Sequence, residues 1–173
     1  KYYPTMLPYL AGVLTPMQAH CKAIRQEDSD AFTVFIGPCI AKKAEADASP
    51  YVDVALTYDE LRSWLDAEGI QLPQEPTAHG GQRSRFYPAT GGILKATDTA
   101  TGYRRVAIDG VDNCRAVFDE LENGTMSDVF IEMSACEGSC INGPCIREHQ
   151  ERRLKGTLRV DGFAGTKRFE ADE

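Results

Sequence analysis

Two cysteine-bearing segments constrain most strongly what this chain of 173 residues can fold into. The first reads I-G-P-C-I-A-K-K-A-E at residues 36–45, and the second reads E-M-S-A-C-E-G-S-C-I-N-G-P at residues 132–144. Each follows a short apolar run that is typical of a buried β-strand. Thiolates placed after strands and among small residues are the ligands that a soft metal ion or an iron–sulfur cluster requires. We therefore predict that Cys39, Cys136 and Cys140 bind a metal centre.

The hydrophobic pattern predicts an α/β fold in which strands alternate with helices. Thr15-Pro16 begins a helix, and Thr57 and Glu60 form a capping box at the start of another. Such alternation favours a mostly parallel sheet of about four strands flanked by helices, with the ligand site beyond the carboxyl ends of the strands. Both cysteine segments would then open onto the same edge of one sheet. The predicted strands are residues 32–36, 52–56, 103–108 and 128–133, and a helix is predicted over residues 111–121.

The composition of the chain argues against some classes of binding partner. The formal net charge of −7, without a sizeable basic cluster, argues against a nucleic-acid partner. No apolar run is long enough to cross a bilayer, so we predict no membrane partner and a cytoplasmic location. The cysteines suit a reducing compartment better than a disulfide scaffold, and Cys21 and Cys114 are predicted to be buried in helices. The histidines are not predicted to be ligands: His20, His79 and His149.

The chain is predicted to consist of a lobe and a tail. We expect residues 1–145 to form the α/β lobe, and residues 146–173 to form a charged helix, at 147–154, followed by the C-terminal tail. The opening K-Y-Y-P-T-M-L-P-Y-L lacks an initiator methionine and reads as the interior of a longer sequence. We therefore expect the chain to be a fragment.

The loop C-E-G-S-C at residues 136–140 contains two cysteines separated by three residues. Gly138 and Ser139 keep this loop small, so its backbone amides could donate hydrogen bonds to sulfur and tune the potential of a cluster. Asn142 continues the tight path, and we predict that these three residues contact the cofactor.

The number of cysteine ligands is one short of a complete set. A cubane cluster needs four ligands, and three are evident. Cys145 could be the fourth ligand or a free thiol, and the missing ligand could instead lie upstream of Lys1.

Lys42 and Glu45 lie three residues apart on one helical face, just after Cys39. An ammonium group directed at a cluster stabilises anionic ligands, and Glu45 could hold Lys42 in place. The pair could equally be an exposed ion pair worth only a few tenths of a kcal/mol.

These segments resemble the catalytic, H-cluster-binding domain of iron-only (FeFe) hydrogenases. P-C-I-A-K-K-A-E at residues 38–45 is similar to that family's second cluster motif, and E-M-S-A-C-E-G-S-C-I-N-G at 132–143 is similar to its third. A-T-G-G-I-L-K-A at 89–96 resembles the glycine-rich segment between them, and Y-Y-P-T-M-L-P-Y-L at 2–10 resembles the stretch after the first motif. Their order and spacing agree across residues 1–145.

The resemblance implies a role for each matched residue. Cys39, Cys136 and Cys140 would be ligands of a 4Fe–4S cubane, and Cys140 would also bridge to a di-iron subsite. Lys42 would contact a cyanide ligand of that subsite, with Glu45 behind it. The family interconverts hydrogen with protons and electrons. Its implied partners are the remainder of the hydrogenase domain, which carries the first cysteine motif, and ferredoxin-type electron donors.

Several positions depart from the family pattern. The first motif would precede Lys1, Gly37 and Ser134 replace methionines, and Ser139 replaces a glycine. The result resembles the sensory branch of the family, in which downstream signalling domains follow, so we expect either hydrogen chemistry or hydrogen and redox sensing. The fragment alone is expected to be inactive and without a cluster.

The residues themselves leave two further functions open. One is a zinc-binding structural module, and the other is a metal-free interaction domain. The ligands of the zinc module would be Cys39, Cys136, Cys140 and Cys145.

Overall fold

The computed structural model describes residues 2–73, 81–96, 102–146, 153–165 and 167. The chain divides into two compact units. The Cys39 unit consists of residues 10–74 and 144–147, and the Cys140 unit consists of residues 1–9, 75–143 and 148–173. Among the described helices, none combines the length and the apolar character that crossing a membrane requires.

The Cys39 unit contains two strands that pair in parallel, with Val34 opposite Val54. Its buried core includes Ala46, and the partly buried Phe35 packs against this core, so the connection between them that carries Cys39 is attached to the core at both ends. The elements are α1 (Pro16–Glu27), β1 (Val34–Ile36), α2 (Ala41–Asp47), β2 (Val54–Leu56) and α3 (Tyr58–Ala67). The core residues are Met17, Cys21, Ala46, Val52 and Ala55.

Both helix starts predicted for this unit are confirmed. The Thr15 hydroxyl accepts a hydrogen bond from the Gln18 N–H at 3.4 Å and caps α1. At the start of α3, the Glu60 N–H donates to the Thr57 hydroxyl at 3.2 Å, and the Thr57 N–H donates to the Glu60 carboxylate at 2.8 Å. This reciprocal capping box satisfies backbone donors that the first turn of a helix leaves unpaired.

The Cys140 unit contains a second parallel pair of strands, with Asp109 opposite Ser134 at the carboxyl ends. Tyr3 packs on the helix that follows the first of these strands, because its hydroxyl donates to Asp119 at 3.0 Å and its ring lies 5.0 Å from the Phe118 ring. The elements are α4 (Gly92–Ala96), β3 (Arg104–Asp109), α5 (Val111–Glu122), β4 (Val129–Ser134), α6 (Arg153–Phe163) and 3₁₀ helices at Pro4–Tyr9, Arg83–Phe86 and Ser139–Asn142.

The predicted α/β class is confirmed, but the prediction of a single sheet is wrong. The described strands form two separate parallel pairs, β1–β2 and β3–β4. Each cysteine segment therefore follows the carboxyl end of its own pair, and the expectation of one shared sheet edge fails. The hydrophobic pattern located the strands within two residues at each end, but it carries no information about which strands pair.

One prediction about burial also needs correction. The helix predicted over 111–121 is confirmed as α5, but Cys114 is only half-buried, whereas Cys21 is buried as predicted. The charged helix predicted over 147–154 falls mostly outside the described residues and stays a prediction, and α6 is described from Arg153 onward. Residues 147–152 lie outside the described residues, as do His79 and His149.

The capping box of α3 can be tested by replacing Thr57 with alanine. Thr57→Ala removes the acceptor for the Glu60 N–H and should lower the free energy of unfolding by about 1 kcal/mol. Urea denaturation followed by circular dichroism measures this loss. Ser63→Ala, at an exposed position of the same helix, is the control and should change stability by less than about 0.5 kcal/mol. Equal stabilities for the two variants would contradict the capping role of Thr57.

Candidate metal centre

Cys39 lies in the tight connection between β1 and α2. The Gly37 N–H donates to the Leu56 carbonyl at 3.0 Å and extends the strand pair to the start of the loop. The Cys39 carbonyl accepts from the Lys42 N–H at 3.3 Å, so the loop turns directly into the helix. The Cys39 side chain is half-buried. A thiol in this position has a fixed backbone and is shielded only in part from solvent.

Lys42 and Glu45 form the ion pair predicted from their spacing. The Lys42 ammonium contacts the Glu45 carboxylate, which also accepts from the Thr15 hydroxyl and, at 3.2 Å, from the Gln18 amide. The Lys42 and Glu45 side chains are 23% and 21% exposed, so the pair is more buried than a surface pair. Burial alone would raise the pKa of Glu45, but the hydrogen bonds from Lys42, Thr15 and Gln18 outweigh it and lower that pKa. The network therefore holds the lysine in one place.

The second loop turns sharply between its two cysteines. The Cys136 carbonyl accepts from the Ser139 N–H at 2.9 Å, and the Cys140 carbonyl accepts from the Gly143 N–H at 3.2 Å. Gly138 has a φ of 79° and Ser139 a φ of 58°, so two successive residues adopt the left-handed conformation. Glycine adopts it readily, whereas serine does so at some cost.

A buried carboxylate accepts a hydrogen bond from the turn of this loop. Asp109, the last residue of β3, is only 8% exposed. Its Oδ2 atom accepts from the Thr90 hydroxyl at 2.6 Å and from the Gly138 N–H at 3.1 Å. Asn113 donates to the Asp109 carbonyl at 2.8 Å. Asp109 therefore links the glycine-rich segment to the second cysteine loop.

Glu132 on β4 makes a similar connection to the glycine-rich segment. This residue is 6% exposed, and its two carboxylate oxygens accept from the Gly91 and Leu94 N–H groups, each at 3.0 Å. The Ile141 N–H, beyond the second cysteine, donates to the Pro88 carbonyl at 3.1 Å. The glycine-rich segment thus supports the loop and is held to the strands by two carboxylates.

Two serines that depart from the resembled pattern contact each other. The hydroxyls of Ser134 and Ser139 lie 3.0 Å apart in hydrogen-bonding geometry, and Ser139 is 4% exposed. The Ser134 carbonyl also lies 3.6 Å from the Cys114 sulfur. Burial raises the pKa of the Cys114 thiol, which is therefore a poor ligand at neutral pH.

The predicted cofactor contacts in the second loop have a partly different role here. The Gly138 and Ser139 N–H groups donate to Asp109 and to the Cys136 carbonyl, so they stabilise the turn itself. Asn142 ends the 3₁₀ helix at Ser139–Asn142 and is half-buried. Contact of these three residues with a cofactor stays a prediction.

Cys145 belongs to the same unit as Cys39. Its N–H donates to the Pro38 carbonyl at 3.2 Å, which brings its backbone beside the first cysteine loop. The six cysteines are present as unbridged thiols. Across the parts of the chain that the structure describes, no three His, Cys, Asp or Glu side chains are arranged to hold a metal ion. The meeting of the Cys39, Cys136 and Cys140 sulfurs therefore stays a prediction.

Sequence reasoning missed the residues that support the two loops. Thr15 was recognised only as a cap, although it also reaches Glu45, and Gln18 had no recognised role. Asp109 and Glu132 were not singled out, although a carboxylate inside an apolar strand or at its end is itself unusual. Such a residue needs hydrogen-bond donors nearby, and this could have drawn attention to the glycine-rich segment.

Comparison with known proteins identifies the family. The sequence model of the iron only hydrogenase large subunit, C-terminal domain, matches residues 1–144. The chain belongs to this family. It is 23% identical to the periplasmic Fe hydrogenase large subunit of Nitratidesulfovibrio vulgaris, over 82% of this chain and 47% of that protein. It is 24% identical to iron hydrogenase 1 of Clostridium pasteurianum, over 83% of this chain and 34% of that protein. The chain thus spans less than half the length of these two hydrogenases.

The fold agrees with that of solved hydrogenases. A variant of the FeFe-hydrogenase HydA1 from Chlamydomonas reinhardtii matches 97% of this chain and 64% of its own, with a TM-score of 0.69 at 18% identity. A HydA structure that follows the stepwise assembly of the H-cluster matches 92% of this chain and 61% of its own, with a TM-score of 0.67 at 17% identity. The α/β architecture of this hydrogenase-family chain is therefore the family's own.

The ion pair between Lys42 and Glu45 predicts a pH-dependent stability. Glu45→Gln keeps the size of the side chain but removes the charge, and should lower the free energy of unfolding at pH 7 by about 1 kcal/mol. Because folding lowers the pKa of Glu45, this contribution is complete above the usual value of 4.5 and is lost as pH falls through the lowered pKa. Urea denaturation at several pH values measures it.

In that experiment, the difference between the wild-type chain and Glu45→Gln should shrink below pH 4.5. Glu27→Gln, at the exposed end of α1, is the control with the same change of charge. A difference that is the same at all pH values would contradict the ion pair.

The bond between the two serines predicts an energetic coupling. Ser139→Ala removes the hydroxyl and keeps the left-handed backbone, so it should cost about 1 kcal/mol. Ser139→Gly also relieves the backbone cost and should be nearly neutral, because the two effects are each about 1 kcal/mol. Ser134→Ala should be destabilising in the wild-type chain and nearly neutral in the Ser139→Ala background. A double-mutant cycle from urea denaturation measures this coupling, and additive effects would show that the hydroxyls do not interact.

Proposed function

We propose that this chain is part of an H-cluster domain, and that Cys39, Cys136 and Cys140 are thiolate ligands of its 4Fe–4S cluster. The family match across residues 1–144, which spans both cysteine loops, carries the proposal. The donor set fits such a group, because the three residues are unbridged thiols and soft thiolates are the usual ligands of iron–sulfur clusters. When bound, a cluster with a di-iron subsite supplies the electron and hydrogen chemistry of the family.

Hydrogen bonds fix the backbone of each cysteine loop, as is typical of loops that carry metal ligands. The first is fixed at the carboxyl end of β1 by the Gly37 and Lys42 hydrogen bonds. The second is fixed by Asp109 and by the hydrogen bonds within the turn. Ligands held by a rigid backbone need little reorganisation to bind a metal centre, so these loops favour cluster binding over a chance arrangement of thiols.

The roles of Lys42 and Glu45 follow from their network. Glu45 accepts from Lys42, Thr15 and Gln18, so it positions the lysine just after the first ligand. An ammonium group held there can stabilise anionic ligands of the cluster, as the family motif implies. Lys42 is then the residue that contacts the cofactor, and Glu45 acts through it.

Three positions favour a sensing role over rapid hydrogen turnover. A side chain at Gly37 would begin 2.8 Å from the Phe35 ring, so a residue the size of methionine does not fit there unless the ring moves. Ser134 and Ser139 replace an apolar and a flexible residue with a polar, hydrogen-bonded pair. The missing side chain at Gly37 and the polar Ser134 in place of methionines change the surroundings of a di-iron subsite, which suits a detector of hydrogen or redox state more than a fast enzyme.

The implied partner is the rest of a hydrogenase domain. The chain spans 47% of the length of one curated relative and 64% of one solved structure. Parallel strands are normally covered on both faces, yet Val34 and Ile36 of β1 are 40% and 38% exposed, and the nearby Phe32 is 73% exposed. Further chain packed on this surface would cover it. Ferredoxin-type donors and downstream signalling domains stay proposals, as does a cytoplasmic location, since one relative is named as periplasmic.

Metal analysis with matched cysteine variants tests the proposal. The chain is expressed within its full-length protein and analysed for zinc, then reconstituted with ferrous iron and sulfide under argon and analysed for iron, sulfide and visible absorption. We expect bound iron and sulfide with a broad visible absorption, because thiolate-bound clusters are coloured. Cys39→Ser, Cys136→Ser and Cys140→Ser should each lose most of the bound iron.

The control is Cys21→Ser, which removes a buried thiol of α1 outside the two motifs and should keep the iron. Colourless protein with stoichiometric zinc would indicate a structural zinc module instead. Protein that binds neither metal, and whose behaviour is unchanged in all three variants, would indicate an interaction domain. Both of these results would overturn the proposal.

A further inference from the structure

The second cysteine loop depends on a residue outside the cluster motifs. Asp109 lies at the end of β3, is 8% exposed, and uses one oxygen to accept from both Thr90 and Gly138. Gly138 lies between Cys136 and Cys140, so this bond acts at the centre of the turn. The turn itself contains two successive left-handed residues, Gly138 and Ser139, a conformation that needs support.

The energetics of this arrangement couple the carboxylate to the loop. A buried carboxylate without donors carries a large desolvation cost, whereas one that accepts from a hydroxyl and a backbone N–H has compensation. Asp109 and the turn therefore stabilise each other. Loss of either donor would leave the carboxylate poorly satisfied, and loss of the carboxylate would leave the Gly138 N–H without its acceptor.

We infer that Asp109 is a positioning residue that fixes the spacing of the Cys136 and Cys140 thiols. Its carboxylate also places a negative charge in contact with the backbone of the turn that joins them. Thr90 orients the carboxylate by donating to the same oxygen that receives the Gly138 N–H. The inference about the electrical effect on a cluster rests on the proposed function, whereas the effect on thiol spacing does not.

The negative charge of Asp109 should change the reduction potential of a bound cluster in a defined direction. A reduced cluster carries one more negative charge than an oxidised one, and a nearby carboxylate in a region of low dielectric disfavours it. Asp109 therefore lowers the reduction potential of a centre bound by Cys136 and Cys140. Neutralising Asp109 while keeping its hydrogen bonds should raise that potential.

Thiol alkylation in the metal-free chain tests the positioning role. Alkylation by iodoacetamide is followed for each cysteine by mass spectrometry, with Cys39 in the other unit as the internal reference. Asp109→Ala should speed the modification of Cys136 and Cys140 relative to Cys39 by about tenfold, since loss of a buried hydrogen bond favours opening by a factor of this order. Thr90→Val should show the same change at a smaller size, and Thr90→Ser should restore the wild-type rate.

The matched control is Asp112→Asn, which removes a charge from an exposed position on the first turn of α5. It should leave the relative rates unchanged. Circular dichroism establishes that each variant is folded, and if Asp109→Ala fails to fold, the Thr90 pair decides the outcome. Relative rates equal to wild type in a folded Asp109→Ala, or failing that in Thr90→Val, would overturn the positioning role.

The charge is tested separately in reconstituted full-length protein. Asp109→Asn retains an oxygen acceptor and removes the charge, and it should shift the midpoint potential, measured by an electron paramagnetic resonance titration, to a more positive value than that of Asp112→Asn. Equal potentials would overturn the electrical part of the inference. Wild-type protein that binds no iron would overturn the proposed function and the electrical part with it, while the alkylation experiment would still decide the positioning role.

Discussion

One buried oxygen organises the part of the chain that carries two of the three candidate ligands. Oδ2 of Asp109 accepts from a hydroxyl in the glycine-rich segment and from the backbone of the second cysteine loop. Because a buried carboxylate is tolerated only when donors surround it, β3, the glycine-rich segment and the loop must be in place together. Glu132 adds a second carboxylate on the neighbouring strand that binds the same segment through Gly91 and Leu94.

The two loops are supported by different physical means. The first relies on side chains, since the charged pair Lys42 and Glu45 is surrounded by Thr15 and Gln18. The second relies on backbone N–H groups that donate to buried carboxylates. Both supports end on a carboxylate, but the first holds the charged side chain of Lys42, whereas the second holds the backbone of the turn itself. Different interactions therefore stabilise the conformations of the two cysteine loops.

In this fold, contacts between residues that are close in sequence can be predicted from the sequence, whereas contacts between residues far apart in sequence cannot. The caps at Thr15 and Thr57 depend on residues three positions apart, and so the sequence pattern is sufficient. The bond from Gly138 to Asp109 joins residues 29 positions apart, and the pairing of the strands is equally non-local. The cysteine motifs identified the family because their chemistry is concentrated in short segments, whereas the residues that shape the second loop are dispersed along the chain.

The contact between Cys145 and the first loop is made by the main chain, through the N–H of Cys145 and the carbonyl of Pro38. Any residue except proline could therefore make it, so the bond itself does not require a cysteine at this position. Serine at position 145 would keep this backbone bond and remove only the sulfur, which separates the contribution of the thiol from the support that its main chain gives to the first loop.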